Sequence, residues 1–261
     1  MIRGRACRYL LTTPGPRRFR HACLHLGAGL LRRQELRAAS EDRWSGFAAS
    51  DEEVDAGLEP WEDRLYRDVL RPSDRLLLIG CGAGRDLIAL SRLGYDVVGL
   101  EPAPLLVAAA NAHLSRRLIK ARILEGTAES GIVDGEYDVI VFSLYVYSCI
   151  FERRTRLATL SRLTQRHLVR GGRLIISYAH TVPQSRLWIN LCRLSAAISR
   201  SDWQPEAGDR LYTAATRLGM LGFEHQFTRD DLAGECRAAG LQVQRDEAIN
   251  ALYRFAVVSA P

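Results

Sequence analysis

The chain has 261 residues, 47% of them hydrophobic, enough to bury one sizeable core. No run of about eighteen apolar residues occurs, so no membrane-spanning helix is indicated. The net charge of +6 sits in residues 1–34, where eight arginines (3, 5, 8, 17, 18, 20, 32, 33) and no acid give +8 and leave −2 for the rest, so a nucleic-acid-binding surface on the folded domain loses its main support.

Residues 1–34 share their arginine content with organelle transit peptides but contain no serine. Three readings stay open: a basic arm or lid helix, a targeting segment, or residues ahead of the true start. Residues 35–70 carry Trp44, Trp61 and Tyr66, and Leu58 to Leu70 predict a helix with Pro60 near its first turn. Arg71 to Asp74 form the turn into the first strand.

The stretch from Arg75 to Glu101 organises the chain. Leu76 to Ile79 are four consecutive apolar residues, as in a strand buried on both faces. Gly80-Cys-Gly-Ala-Gly84 is a tight turn, and Asp86 to Leu93 predict a helix that Gly94 stops. Asp96 to Leu100 form a second strand with Glu101 at its carboxyl end. A βαβ unit with glycines at one strand end and an acid at the next is where an open α/β sheet binds a nucleoside-bearing ligand. The dinucleotide fingerprint G-x-G-x-x-G fails in both registers, because its third glycine falls on Arg85 or Leu87.

What remains is G-x-G-x-G, and the stretch from Leu76 to Pro104 resembles the class I S-adenosylmethionine-dependent methyltransferases. The resemblance continues more weakly to the C-terminus. It implies a Rossmann-like, doubly wound, mostly parallel seven-stranded sheet with an antiparallel last strand and helices on both faces. It also implies S-adenosyl-L-methionine as cofactor, held by Gly80, Cys81, Gly82, Gly84, Arg85, Glu101, Pro102, Thr127, Ala128, Ser143 and Leu144. The turn lets backbone N–H groups approach the methionine part, and the helix N-terminus favours its carboxylate. Glu101 offers two acceptor oxygens to the ribose hydroxyls, and Thr127 a hydrogen bond to the adenine. Arg85 faces either the cofactor carboxylate or a substrate. Leu78 and Thr127 stand where the family usually has acids, which keeps a silent cofactor-binding regulator open as an alternative. An NAD-linked oxidoreductase is favoured only by Glu101.

Beyond Glu101, Pro104 to Arg117 predict an alanine-rich helix, Ala121 to Leu124 a third strand and Tyr137 to Ser143 a fourth. At the fourth strand's end, Tyr145 and Tyr147 are candidates to line a small-molecule site. Arg153 to Arg170 predict an amphipathic helix ended by Gly171-Gly172, and Arg173 to Tyr178 a fifth strand. Thr228 to Gly240 read as a helix, followed by strands over Leu241 to Arg245 and Ala251 to Ser259. The expected organisation is a basic arm (1–34) and a methyltransferase domain (35–261) with lid helices (35–70) and a substrate cap (181–227).

The implied reaction is methyl transfer to a small-molecule O, N or S nucleophile. His180, Tyr145 and His225 are the candidate general bases. Six cysteines (7, 23, 81, 149, 192, 236) lack a C-x-x-C pair, so neither a metal site nor a disulfide framework is expected. Reduced thiols point to a cytoplasmic protein. The oligomeric state stays open.

Overall fold

The computed structural model describes residues 15–38, 50–180, 187–213 and 221–260. Expectations for residues 1–14, for Trp44 and for 181–186 and 214–220 lie outside the described residues. The chain divides into two compact units, one of residues 47–180 and 229–261, the other of 1–46 and 181–228. No described helix is long and apolar enough to cross a membrane.

The strands in chain order are β1 (Arg75–Ile79), β2 (Asp96–Glu101), β3 (Arg122–Glu125), β4 (Tyr137–Phe142), β5 (Leu168–Ala179), β6 (Asp209–Thr213), β7 (Leu221–His225), β8 (Gln242–Ala248) and β9 (Tyr253–Ser259). Seven of them make one sheet in the order β3-β2-β1-β4-β5-β9-β8. Strands β1 to β5 pair in parallel, and β9 runs antiparallel to both β5 and β8. The order reverses between β1 and β4, and an open α/β sheet binds ligands at such a point.

Strict alternation along buried strands builds the core on two faces. Leu76 and Leu78 of β1 pack with Val139, Val141, Ile175 and Val257. Leu77 and Ile79, on the opposite face of the pleat, are as deeply buried. Leu78 therefore serves packing. The helix after β1 runs Arg85–Arg92, and its buried side chains Leu87, Ile88 and Leu90 close over the sheet.

One boundary differs from expectation. The Arg153–Arg166 helix ends with His167 as its cap, and Gly171-Gly172 lie inside β5. The pairing of β4 with β5 shifts register between Tyr137 and Val139, and a Cβ on Gly172 would sit 2.9 Å from the Asp138 carbonyl. These glycines permit a close strand irregularity, as glycine inside a strand commonly does.

In the other unit the Arg17–Gly29 helix packs on the Leu187–Ser199 helix. A Cβ on Gly29 would overlap the Ser195 hydroxyl and the Cys192 carbonyl, so glycine sets this close approach. Strands β6 and β7 form an antiparallel hairpin that the sequence pattern did not announce.

Candidate active site

The glycine turn leaves β1 with three residues in the left-handed region: Gly80 (φ 78°), Gly82 (55°) and Gly84 (95°). Only glycine adopts these angles without strain. Gly80 and Cys81 both donate backbone N–H groups to the Leu100 carbonyl, at 2.7 and 3.2 Å, which ties the turn to β2. Gly99 lies against the Cys81 side chain, and a Cβ there would come within 2.8 Å of the Cys81 sulfur, so glycine on the strand makes room for that side chain. A Cβ at Gly82 would meet nothing within 4 Å. The turn thus borders open space at its middle glycine, the approach a ligand needs.

Glu101 ends β2 with a buried side chain. Its Oε2 accepts from Gly82 N and its Oε1 from Ala103 N, each at 3.0 Å. Burial pushes its carboxyl above the usual carboxylate range, and those two hydrogen bonds pull it back. Each oxygen keeps a further lone pair for a ribose hydroxyl. Pro102 beside it is exposed. Cys81 is buried, and its thiol is pushed up by burial and by Glu101, so it contributes packing and backbone.

The loop after β3 closes one side. Gly126 N donates to the Glu101 carbonyl at 3.0 Å, and Arg162 holds the Ala128 and Glu129 carbonyls. Thr127 is half-buried in that loop, with Ala128 buried next to it. At the end of β4, Ser143 N donates to the Ile79 carbonyl at 3.0 Å, while the buried Ser143 Oγ has no hydrogen-bond partner. An orphaned hydroxyl at the switch point and an open glycine turn fit a polar nucleoside ligand. Leu144 is partly exposed.

Arg85 opens the helix that follows the turn, and acids surround it. Its Nη2 lies 2.7 Å from both Glu62 oxygens, its Nε 2.6 Å from Asp86 and its Nη1 3.4 Å from Glu59. Burial and the neighbouring Asp86 raise the Glu62 carboxyl to about 7, against the pull of Arg85. Glu62 was not legible as a site residue. Its spacing from Glu59 matches a capping box, which both residues form at the start of the Pro60–Val69 helix, but burial leaves no mark in sequence.

Of the candidate bases, Tyr145 follows β4 with a left-handed φ of 46° and stacks on Tyr253, ring centroids 5.1 Å apart. Such backbone strain in a non-glycine residue clusters at functional sites. His180 follows β5, its N donating to the Leu252 carbonyl beside the same Tyr253. His225 lies in the other unit, on β7, with Nδ1 2.7 Å from Asp209 Oδ1. Tyr147 is not a lining residue. It is fully buried, and its hydroxyl donates to Glu235 at 2.7 Å. Tyr253 escaped the sequence reading because nothing in an apolar last strand marks its first residue as a partner of Tyr145.

The strand order, the glycine turn and Glu101 define a class I S-adenosylmethionine-dependent methyltransferase fold. Residues 77–176 match the family described as "Methyltransferase domain", and that stretch is such a domain. The chain is 33% identical over 108 residues to a ribosomal protein L11 methyltransferase of Thermus thermophilus, covering 41% of this chain and 39% of that one. It is 38% identical over 72 residues to a ubiquinone biosynthesis O-methyltransferase of Azorhizobium caulinodans, 28% of each chain. The chain thus spans under half the length of these curated relatives. A solved S-adenosylmethionine-dependent methyltransferase from Methanosarcina mazei shares the fold, with TM-score 0.60 and 18% identity, over 78% of this chain and 98% of that one. The cofactor of this domain class is S-adenosyl-L-methionine.

Proposed function

We propose that the protein transfers a methyl group from S-adenosylmethionine to an O, N or S nucleophile on a small molecule. The observation that carries this reading is Glu101, its carboxylate fixed by Gly82 N and Ala103 N beside an open glycine turn. Gly82 and Gly84 receive the methionine part, Glu101 the ribose, and Thr127, Ala128, Ser143 and Leu144 the adenine side. The bound cofactor supplies a sulfonium-activated methyl carbon. The residues of the chain align the acceptor in line with it and take up the acceptor's proton. We assign that proton to His180 or Tyr145, which share Tyr253 as neighbour.

The stacked Tyr145–Tyr253 pair favours a flat, partly apolar acceptor, in keeping with an O-methyltransferase of ubiquinone biosynthesis as relative. The relative acting on ribosomal protein L11 supports a protein acceptor as second reading. A cytoplasmic setting suits the five described cysteines, all free thiols.

The test is calorimetric titration with S-adenosylmethionine and S-adenosylhomocysteine beside Glu101→Ala. Micromolar binding that weakens at least about tenfold in the variant, or ~1.4 kcal/mol, supports the reading. No binding by the parent chain overturns it. A panel of phenols and ribosomal protein L11 as methyl acceptors then separates the two acceptor classes.

A further inference from the structure

Outside the methyltransferase domain, three metal-ligating side chains converge on the β6–β7 hairpin. Asp209 and His225 are direct cross-strand partners in the register, and Glu206 lies in the turn ahead of β6. One donor atom from each of Glu206, Asp209 and His225 falls within 4.8 Å of the other two. His225 Nδ1 is 2.7 Å from Asp209 Oδ1 and 4.0 Å from Glu206 Oε2. An ion bound at about 2.1 Å from each donor holds donors no more than ~4.2 Å apart, which both distances from Nδ1 already satisfy.

Charge points the same way. The Asp209 side chain is 2% exposed and that of His225 6%. Among the described residues no arginine or lysine pairs with Asp209. Among those residues it accepts from His225 and, at 2.6 Å, from the backbone N of Glu206. A buried carboxylate is ordinarily paired or bound to metal.

We propose that Glu206, Asp209 and His225 bind a divalent transition-metal ion of the zinc or manganese class. One imidazole and two carboxylates suit such ions, whereas magnesium and calcium prefer all-oxygen sites. Coordination forms bonds from His225 Nδ1, Asp209 Oδ1 and Glu206 Oε2. The proton on Nδ1 moves to Nε2 in a neutral ring, or leaves to solvent from a charged one. The Glu206 side chain is partly solvent-exposed. The bound ion clamps the hairpin to the turn that precedes it.

Chelator-treated full-length chain titrated with Zn2+ and with Mn2+, each beside a Mg2+ control, tests this. One equivalent should bind, and His225→Gln, Asp209→Asn and Glu206→Gln should each weaken binding by at least about tenfold. The thermal midpoint of the parent should rise on adding the ion and that of Glu206→Gln should not. Glu206→Gln decides the matter if the buried variants fail to fold, because its side chain is partly solvent-exposed and its backbone bond to Asp209 stays. Zn2+ and Mn2+ both failing to bind at 100-fold molar excess, or binding unchanged in a folded Glu206→Gln chain, overturns the site.

Discussion

Gly80, Gly82 and Gly84 all take positive φ, but a methyl group at each would meet different surroundings. At Gly80 it would overlap Val146, and at Gly82 it would enter open space. Gly80→Ala should therefore destabilise by about 3 kcal/mol, strain and overpacking together. Gly82→Ala should cost only about 1 kcal/mol in stability yet weaken cofactor binding at least about tenfold. Urea unfolding and calorimetry on both variants check this, and equal cofactor loss without steric difference would count against the assignment. Glu62 gives a second test. Its carboxyl is raised from 4.5 to about 7, so the folded chain binds the proton more tightly than the unfolded one. Its stabilising contribution is complete below pH 4.5 and is lost as pH rises to about 7, up to ~3 kcal/mol at 1.4 kcal/mol per unit. Glu62→Gln should flatten that part of the stability-versus-pH curve, read by denaturant midpoints from pH 4.5 to 8.

Among elements, the Arg153–Arg166 and Arg229–Ala238 helices are joined by Arg156 and Glu235, both buried, with Nη2 2.7 Å from Oε1. Tyr147 adds its hydroxyl to the same carboxylate. Removing one partner strands the other, so Glu235→Ala should cost about 3–5 kcal/mol, while Arg156→Met with Glu235→Leu should recover most of it. A double-mutant cycle by urea unfolding measures the difference. Neither residue was legible as a pair, because 79 positions separate them. What was legible followed from local pattern: the apolar run at 76–79 and the largely apolar stretch at 137–143 gave central strands, and the glycines with Glu101 gave the cofactor side of the site. The β5 boundary was missed because Gly171-Gly172 signal a helix end as readily as a strand irregularity. The hairpin and its Glu206–Asp209–His225 cluster were missed because only strand register brings position 209 opposite 225.

At the scale of the whole molecule, one unit is built from two distant pieces of chain. Ser199 Oγ donates to the Gly29 carbonyl at 3.2 Å, and Arg33 N donates to Asp202 at 2.9 Å, across about 170 positions. Cys23, Ala28 and Leu36 are buried on one piece, and Ile189, Cys192 and Ala196 on the other. Deleting residues 1–34 therefore does more than lower the net charge from +6 to −2. It uncovers the apolar face of the Leu187–Ser199 helix, whose burial is the main source of its stability. The truncated chain should bind a hydrophobic dye and lose one cooperative unfolding step. Every group assigned to the cofactor lies in the other unit, so S-adenosylmethionine affinity should stay within about threefold, under ~0.7 kcal/mol. A truncated chain that melts like the parent would mean the pairing of the two helices contributes nothing to stability. One that folds but no longer binds the cofactor would mean the 1–34 segment supplies part of the cofactor site.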